Sequence, residues 1–138
     1  MASDIQITVT ERNSNKCASS GSKWEPIMGY SRGVRSGGHI AVTGTVGINA
    51  DGTYSKSVGD QTRRSLAIIA AAIEALGGEM KHVIRTRMYV TDVSKWEQVA
   101  KVHGEVFAEI RPATSILEVA KLIDKDALIE IEADAIVP

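Results

Sequence analysis

The chain has 138 residues, 43% of them apolar, and its 16 basic and 17 acidic side chains leave a formal net charge of −1. That length fits one domain built on one core, roughly 100 to 150 residues being the usual size, and the cancelling charges argue against electrostatic capture of nucleic acid or an anionic membrane. Cys17 is the only cysteine, so an intrachain disulfide and a Cys-rich metal site are both excluded.

No basic region followed by an apolar one opens the sequence, and no run approaches the roughly 18 apolar residues of a membrane span; the expectation is a soluble, cytoplasmic protein. Residues 1–29 hold one expected strand, Ile5 to Thr10, and then NSNKCASSGSKWEPIMG, whose Gly, Ser, Asn and Pro content reads as a loop. Trp24, Ile27 and Met28 are unusual in a free linker, so this loop is expected to dock on the body. Cys17 within it reads as a loop thiol without a role. Tyr30 to Val46 gives two short extended runs broken at Ser36-Gly37-Gly38, a β-hairpin signal, and Asn49-Ala50-Asp51-Gly52 supplies the next reversal.

From Asp60 to Leu76, apolar Leu66, Ile69, Ile73 and Leu76 recur at three- and four-residue steps, which predicts a helix with Asp60 as its N-cap and Gly77-Gly78 as its stop. VIRTRMYVT over 83–91 alternates, placing Ile84, Met88 and Val90 on one face and Arg85, Arg87 and Tyr89 on the other. Asp92 and Ser94 offer caps for a second amphipathic helix carrying Trp96, Val99, Val102, Val106 and Phe107, ended by Arg111-Pro112. Thr114 to Ala120 and Leu128 to Val137 are the last two strands, separated by the charged turn Asp124-Lys125-Asp126. The order ββαβαββ, with an added N-terminal strand, predicts a single α+β two-layer domain over 1–138, a mixed and mainly antiparallel β-sheet with both helices on one face.

On the last strand Ile129, Ile131 and Ala133 alternate with Glu130, Glu132 and Asp134, so three carboxylates point away from the helices, toward the side that carries Arg85 and Arg87. Thr114, Ile116 and Glu118 are expected to share that face by the same alternation. It is either the solvated side of an antiparallel sheet, with cross-strand ion pairs of about 0.2–1 kcal/mol each, or an oligomer contact with pockets, which the nearby Leu117, Val119, Ile116 and Tyr89 suit better.

Nucleophile-elbow, phosphate-loop and H-E-x-x-H motifs are absent from the sequence, and His39, His82 and His103 are scattered over a hairpin, a loop and a helix, so no metal site is expected. His103 reads as a surface or interface residue.

The C-terminal run RPATSILEVAKLIDKDALIEIEADAIV is similar to the signature of the Rid family, the YjgF-type reactive intermediate deaminases also labelled endoribonuclease L-PSP: Pro-Ala, then Val-Glu-Val-Ala, then Ile-Glu-Ile-Glu-Ala. The likeness extends upstream through Gly29-Tyr30, Gly33-Val34, Val42-Thr43-Gly44, Gln61 to Leu66 and Tyr89-Val90-Thr91-Asp92-Val93. This resemblance implies a chorismate-mutase-like fold, a homotrimer with ligand clefts between subunits, and hydrolysis of a reactive imine or enamine of the 2-imino acid type, without metal or organic cofactor.

Carried over residue by residue, the resemblance makes Tyr30 a cleft residue, places Thr43 where a serine is common, and matches Glu132 to the glutamate that orients water. Three positions depart. Thr114 stands where an arginine clamps the substrate carboxylate, Ile116 where cysteine is frequent, and Ala100 where asparagine is usual. Threonine offers one neutral hydroxyl in place of a bidentate guanidinium, so Arg87, or else Arg111 at the cleft rim, is the candidate to bind an anionic small molecule. The alternative for Arg87 is an ion pair with Glu132 or Glu130. The competing function is a non-catalytic trimer that binds or buffers a metabolite. Ribonuclease activity is disfavoured, because the sequence shows no basic stripe, aromatic stacking platform or suitable histidine pair.

Overall fold

Along IEIEADAI the alternation is realised in full: Ile129, Ile131, Ala133 and Ala135 are buried and the acidic residues between them half-buried, as expected of a central strand with helices on one face only. A computed structural model describes residues 4–138. The first three residues of the expected N-terminal segment lie outside them. The described strands are β1 (Thr8–Arg12), β2 (Asn15–Ser19), β3 (Gly33–Ser36), β4 (His39–Val46), β5 (Val83–Val90), β6 (Ala113–Glu118) and β7 (Ile129–Ile136). With them are helices α1 (Trp24–Met28), α2 (Val58–Ala75) and α3 (Trp96–Phe107).

All seven strands join one sheet in the order β1-β2-β3-β4-β7-β5-β6. Every pairing is antiparallel except β5 with β6. From β3 onward the element order is ββαβαββ, with β7 inserted between β4 and β5. The core lies between the sheet and α2 and α3, where Ile40, Ile69, Ile73, Ile129 and Ile131 are fully enclosed; each contributes about 1.5–3 kcal/mol through removal from water. No helix among the described residues is long and apolar enough to cross a membrane.

The N-terminal region departs from expectation. Ile5 to Ile7 precede the first strand, which begins at Thr8, and the expected loop contains β2 and α1. Asn13 and Ser14, with φ of 51° and 68°, form the two-residue connection between Arg12 and Asn15, and positive φ at both central residues is what a right-twisted hairpin turn requires. Cys17 is buried in β2 beside Val34, so it is a packed strand residue and not a loop thiol. Ile27 and Met28 are exposed and do not dock; the buried residue of α1 is Glu25.

Elsewhere the corrections are local. Ser57 is the N-cap of α2, accepting a hydrogen bond from the Asp60 backbone N–H at 3.1 Å, so Asp60 sits inside the first turn. A register shift between Val83 and Arg85 gives the core position to Val83 and leaves Ile84 exposed. Trp96 and Val106 are exposed on α3, which buries only Val99, Val102 and Phe107. Val119 and Ala120 lie beyond the end of β6. Arg111, with φ of 57°, donates its N–H to the Phe107 carbonyl and turns the chain after α3 in the left-handed conformation usually given to glycine.

Candidate functional site

An extra residue in β4 shapes the site. Val42 pairs with Ala133 and Thr45 with Ile131, so Thr43 and Gly44 together oppose Glu132, a bulge that bends the strand and re-aims its side chains. Gly44 leaves room on this surface for the Glu130 side chain; a Cβ there would collide with Glu130 Oε2. Beside the bulge lies a cleft of about 810 Å³ whose lining includes Tyr30, Arg32, Thr43, Tyr54 and Glu130.

Arg32 organises the polar part of this cleft. It is 6% exposed. Its guanidinium donates from Nε to Ser20 Oγ at 3.1 Å, from Nη1 to the Gly44 carbonyl at 2.9 Å and to Thr45 Oγ1 at 3.3 Å, and from Nη2 to the Tyr30 hydroxyl at 3.3 Å. The buried carboxylate of Glu25 stands 3.9 Å from Nη2 and itself accepts from the Ser20 backbone N–H and hydroxyl. Such pairing is what allows a charge to be buried at all. Arg32 thereby ties α1, β2 and the β4 bulge together and fixes the Tyr30 hydroxyl. Sequence reasoning missed it; its one available signal was that Arg32 shares the alternation of Tyr30 two residues earlier.

Glu130 is half-buried, and burial first, then the charge of Glu132, raises its pKa, with Arg32 opposing. Burial and the Asp124 carboxylate push the Tyr54 phenol up to about 12, so it remains a hydrogen-bond donor.

The other sequence-derived candidates lie elsewhere. Glu132 does not line the cleft; its Oε1 accepts from the Tyr89 hydroxyl at 3.2 Å and lies 3.7 Å from Arg87 Nη1. Arg87 is engaged by two carboxylates, reaching Asp134 Oδ2 at 3.3 Å as well, so an ion pair of the expected kind is present, with Asp134 in place of Glu130. Arg111 is exposed after α3.

Thr114, Ile116 and Glu118 are not on the carboxylate face. Parallel pairing sets them beside Thr86, Met88 and Val90 on the helix side, and Ser115 and Leu117 beside Arg87 and Tyr89 instead. Thr114 Oγ1 lies 2.8 Å from Thr86 Oγ1, which is 2.9 Å from His103 Nε2 on α3. Alternation alone fixes which residues share a face but not which face it is. His39 meets Asp134 and His82 caps a short 3₁₀ turn, so the three histidines occupy separate places, and among the described residues no cluster of metal-ligating side chains occurs.

A family model for endoribonuclease L-PSP matches residues 20–137. A Mycobacterium tuberculosis member of the highly conserved YjgF/YER057c/UK114 family has a similar structure, with a TM-score of 0.83 and 43% identity, covering 89% of this chain and 99% of that one. The 2-iminobutanoate/2-iminopropanoate deaminase of Escherichia coli K12 is 34% identical over 111 residues, 78% of this chain and 86% of its own. The structure of Escherichia coli TdcF with bound serine matches with a TM-score of 0.74 and 29% identity, covering 79% and 88% of the two chains.

Proposed function

The chain belongs to the endoribonuclease L-PSP (YjgF/Rid) family, and from that premise we propose that its cleft binds a small organic imine and that Glu130 holds the water that hydrolyses it. The observation that carries this reading is the position of Glu130, half-buried in the cleft with Tyr30 and Thr43 and given its space by Gly44. A carboxylate whose pKa is raised is closer to the pH at which it can both take and return a proton.

In its ionised form Glu130 accepts a proton from a water whose oxygen bonds to the imine carbon as the C=N electron pair moves to nitrogen, and it passes that proton to the nitrogen to give the neutral carbinolamine. Glu130 then takes the proton of the new hydroxyl and delivers it to the amine as the C–N bond breaks and the C–O bond becomes the carbonyl, which leaves Glu130 ionised again. Imine and water give a carbonyl compound and ammonia. Tyr30, whose hydroxyl accepts from Arg32, keeps its own O–H to donate to a polar ligand atom. The name of the Escherichia coli deaminase supports the reaction class and the serine held by TdcF supports the ligand size, while a homotrimer, with its uncovered sheet faces inward, is the assembly this reading carries.

Glu130 takes the role that the resemblance gave to Glu132, because Glu130 lines the cleft with Tyr30, Arg32 and Thr43 and Glu132 does not. Arg87 is left out as an anion clamp, since its guanidinium is already held by Glu132 and Asp134. A second reading, binding without turnover, is favoured by Thr114, which offers no guanidinium and whose hydroxyl contacts Thr86.

The test generates imines in place with an amino-acid oxidase and follows 2-oxo acid and ammonia release. The wild type should accelerate release, and Glu130→Gln should lower kcat/KM by about 100-fold or more, with a much smaller loss for Glu132→Gln. A larger loss for Glu132→Gln would overturn the assignment. Ligand-induced thermal stabilisation without turnover would support the binding reading.

A further inference from the structure

The cleft is larger than the smallest imines need. A three- or four-carbon imino acid has six or seven heavy atoms and fills roughly 200 Å³ even at about 30 Å³ per atom, the share of a liquid water molecule, against about 810 Å³ here. Away from the polar group around Arg32, the lining carries five large apolar side chains, Ile5, Trp24, Met28, Ile68 and Ile123, among polar ones such as Lys23, Asn49 and Asp124. Met28 and Ile123 are 61% and 68% exposed. Two large apolar side chains left open in one concavity suit an apolar ligand surface better than water.

One wall of this region is built by residues outside the family match, which begins at residue 20. Asp4, Ile5 and Gln6 line the cleft. The segment is tied on both sides of Ile5: Asp4 Oδ1 accepts from Arg64 Nη1 of α2 at 2.6 Å, and Ile7 packs on the core. Arg64 is itself oriented by donation from Nε to the Ile48 carbonyl at 2.9 Å. The carboxylate and guanidinium neutralise each other, leaving Ile5 and the uncharged Gln6 on this wall, with Ile5 its apolar group.

We propose that the ligand carries an apolar body the size of a branched or aromatic amino-acid side chain, and that Asp4–Gln6 is the specificity-determining wall, with Ile5 as its contact residue. The inference rests on the reading of the cleft as an imine-hydrolysing site and names its substrate class, 2-imino acids with large apolar side chains.

The experiment measures kcat/KM for imines generated from alanine, leucine and phenylalanine. The larger two should exceed the alanine-derived imine by about tenfold or more, the scale of discrimination expected for buried methylenes. Ile5→Ser should cut the phenylalanine-to-alanine ratio by about tenfold, mainly through KM, and Ile5→Leu should preserve it. A preference for the alanine-derived imine, or a ratio unmoved by Ile5→Ser in a folded variant, would overturn the proposal. If no imine is turned over, the proposed reaction fails, and thermal shifts with pyruvate and phenylpyruvate decide the size preference separately. A larger shift with phenylpyruvate that Ile5→Ser removes supports it, and equal shifts overturn it.

Discussion

His103 shows how one half-buried side chain converts into a pH dependence. Its ring lies on α3 with its centroid 4.5 Å from that of Phe107 and its Nε2 against Thr86, and burial lowers its pKa from the ordinary value. In the unfolded chain it protonates near pH 6.5, before the folded protein does. The unfolded state then binds more protons, so this contribution to stability is intact above about pH 6.5 and is lost as pH falls through the depressed folded value. Glu130 acts with the opposite sign, because its raised pKa makes the folded state the better proton acceptor as pH falls. The difference between wild type and His103→Gln isolates the histidine: between about pH 7 and 5 the wild-type Tm should fall more than that of the variant. Equal slopes in calorimetry would show that His103 carries no such linkage. At the same scale, Tyr30 and Thr43 were legible as cleft residues, whereas Arg32 was not, since a sequence reports its charge but not the Ser20, Glu25 and Gly44 groups that enclose it.

Ser57 illustrates what an element needs at its boundary. The first backbone N–H groups of a helix have no partner within it, and Ser57 Oγ satisfies that of Asp60 in α2 while the Asp60 carboxylate stays in the favourable first turn. Ser57→Ala should cost about 1 kcal/mol, read as a lower urea midpoint at unchanged m-value, and Asp60→Ala should cost less. The two helices, the hairpin over 30–46 and the last strand were legible because each carries a sustained period. The β1–β2 hairpin was not, because its Asn13-Ser14 turn lacks the usual glycine and NKCAS in β2 has the composition of a loop. The face presented by β6 was also hidden: its side depends on parallel pairing with β5, a long-range contact that no local alternation encodes. The shift near Ile84 is likewise set by the partner strand.

At the scale of the whole molecule, the helices cover one side of the sheet and leave the other to a mixed surface. Arg85, Arg87 and Tyr89 lie opposite Asp134, Glu132 and Glu130 across β5 and β7. Leu117 on the adjoining β6 belongs to the same face and is 50% exposed. For a single chain in water, replacing such a residue by a charge changes stability by no more than about 0.5 kcal/mol. In the proposed homotrimer the same position is enclosed, and a new carboxylate would be desolvated in line with Tyr89 and Glu130, a cost of several kcal/mol per interface. Leu117→Glu therefore separates the two states of this face. Sedimentation equilibrium should give three chains per particle for the wild type and one for the variant, with far-ultraviolet circular dichroism unchanged. A wild-type monomer would remove the trimer. A trimer that tolerates Leu117→Glu would place its contacts away from β6, because a carboxylate cannot enter a closed contact without a partner, and the same face of the sheet already carries Glu130, Glu132 and Asp134.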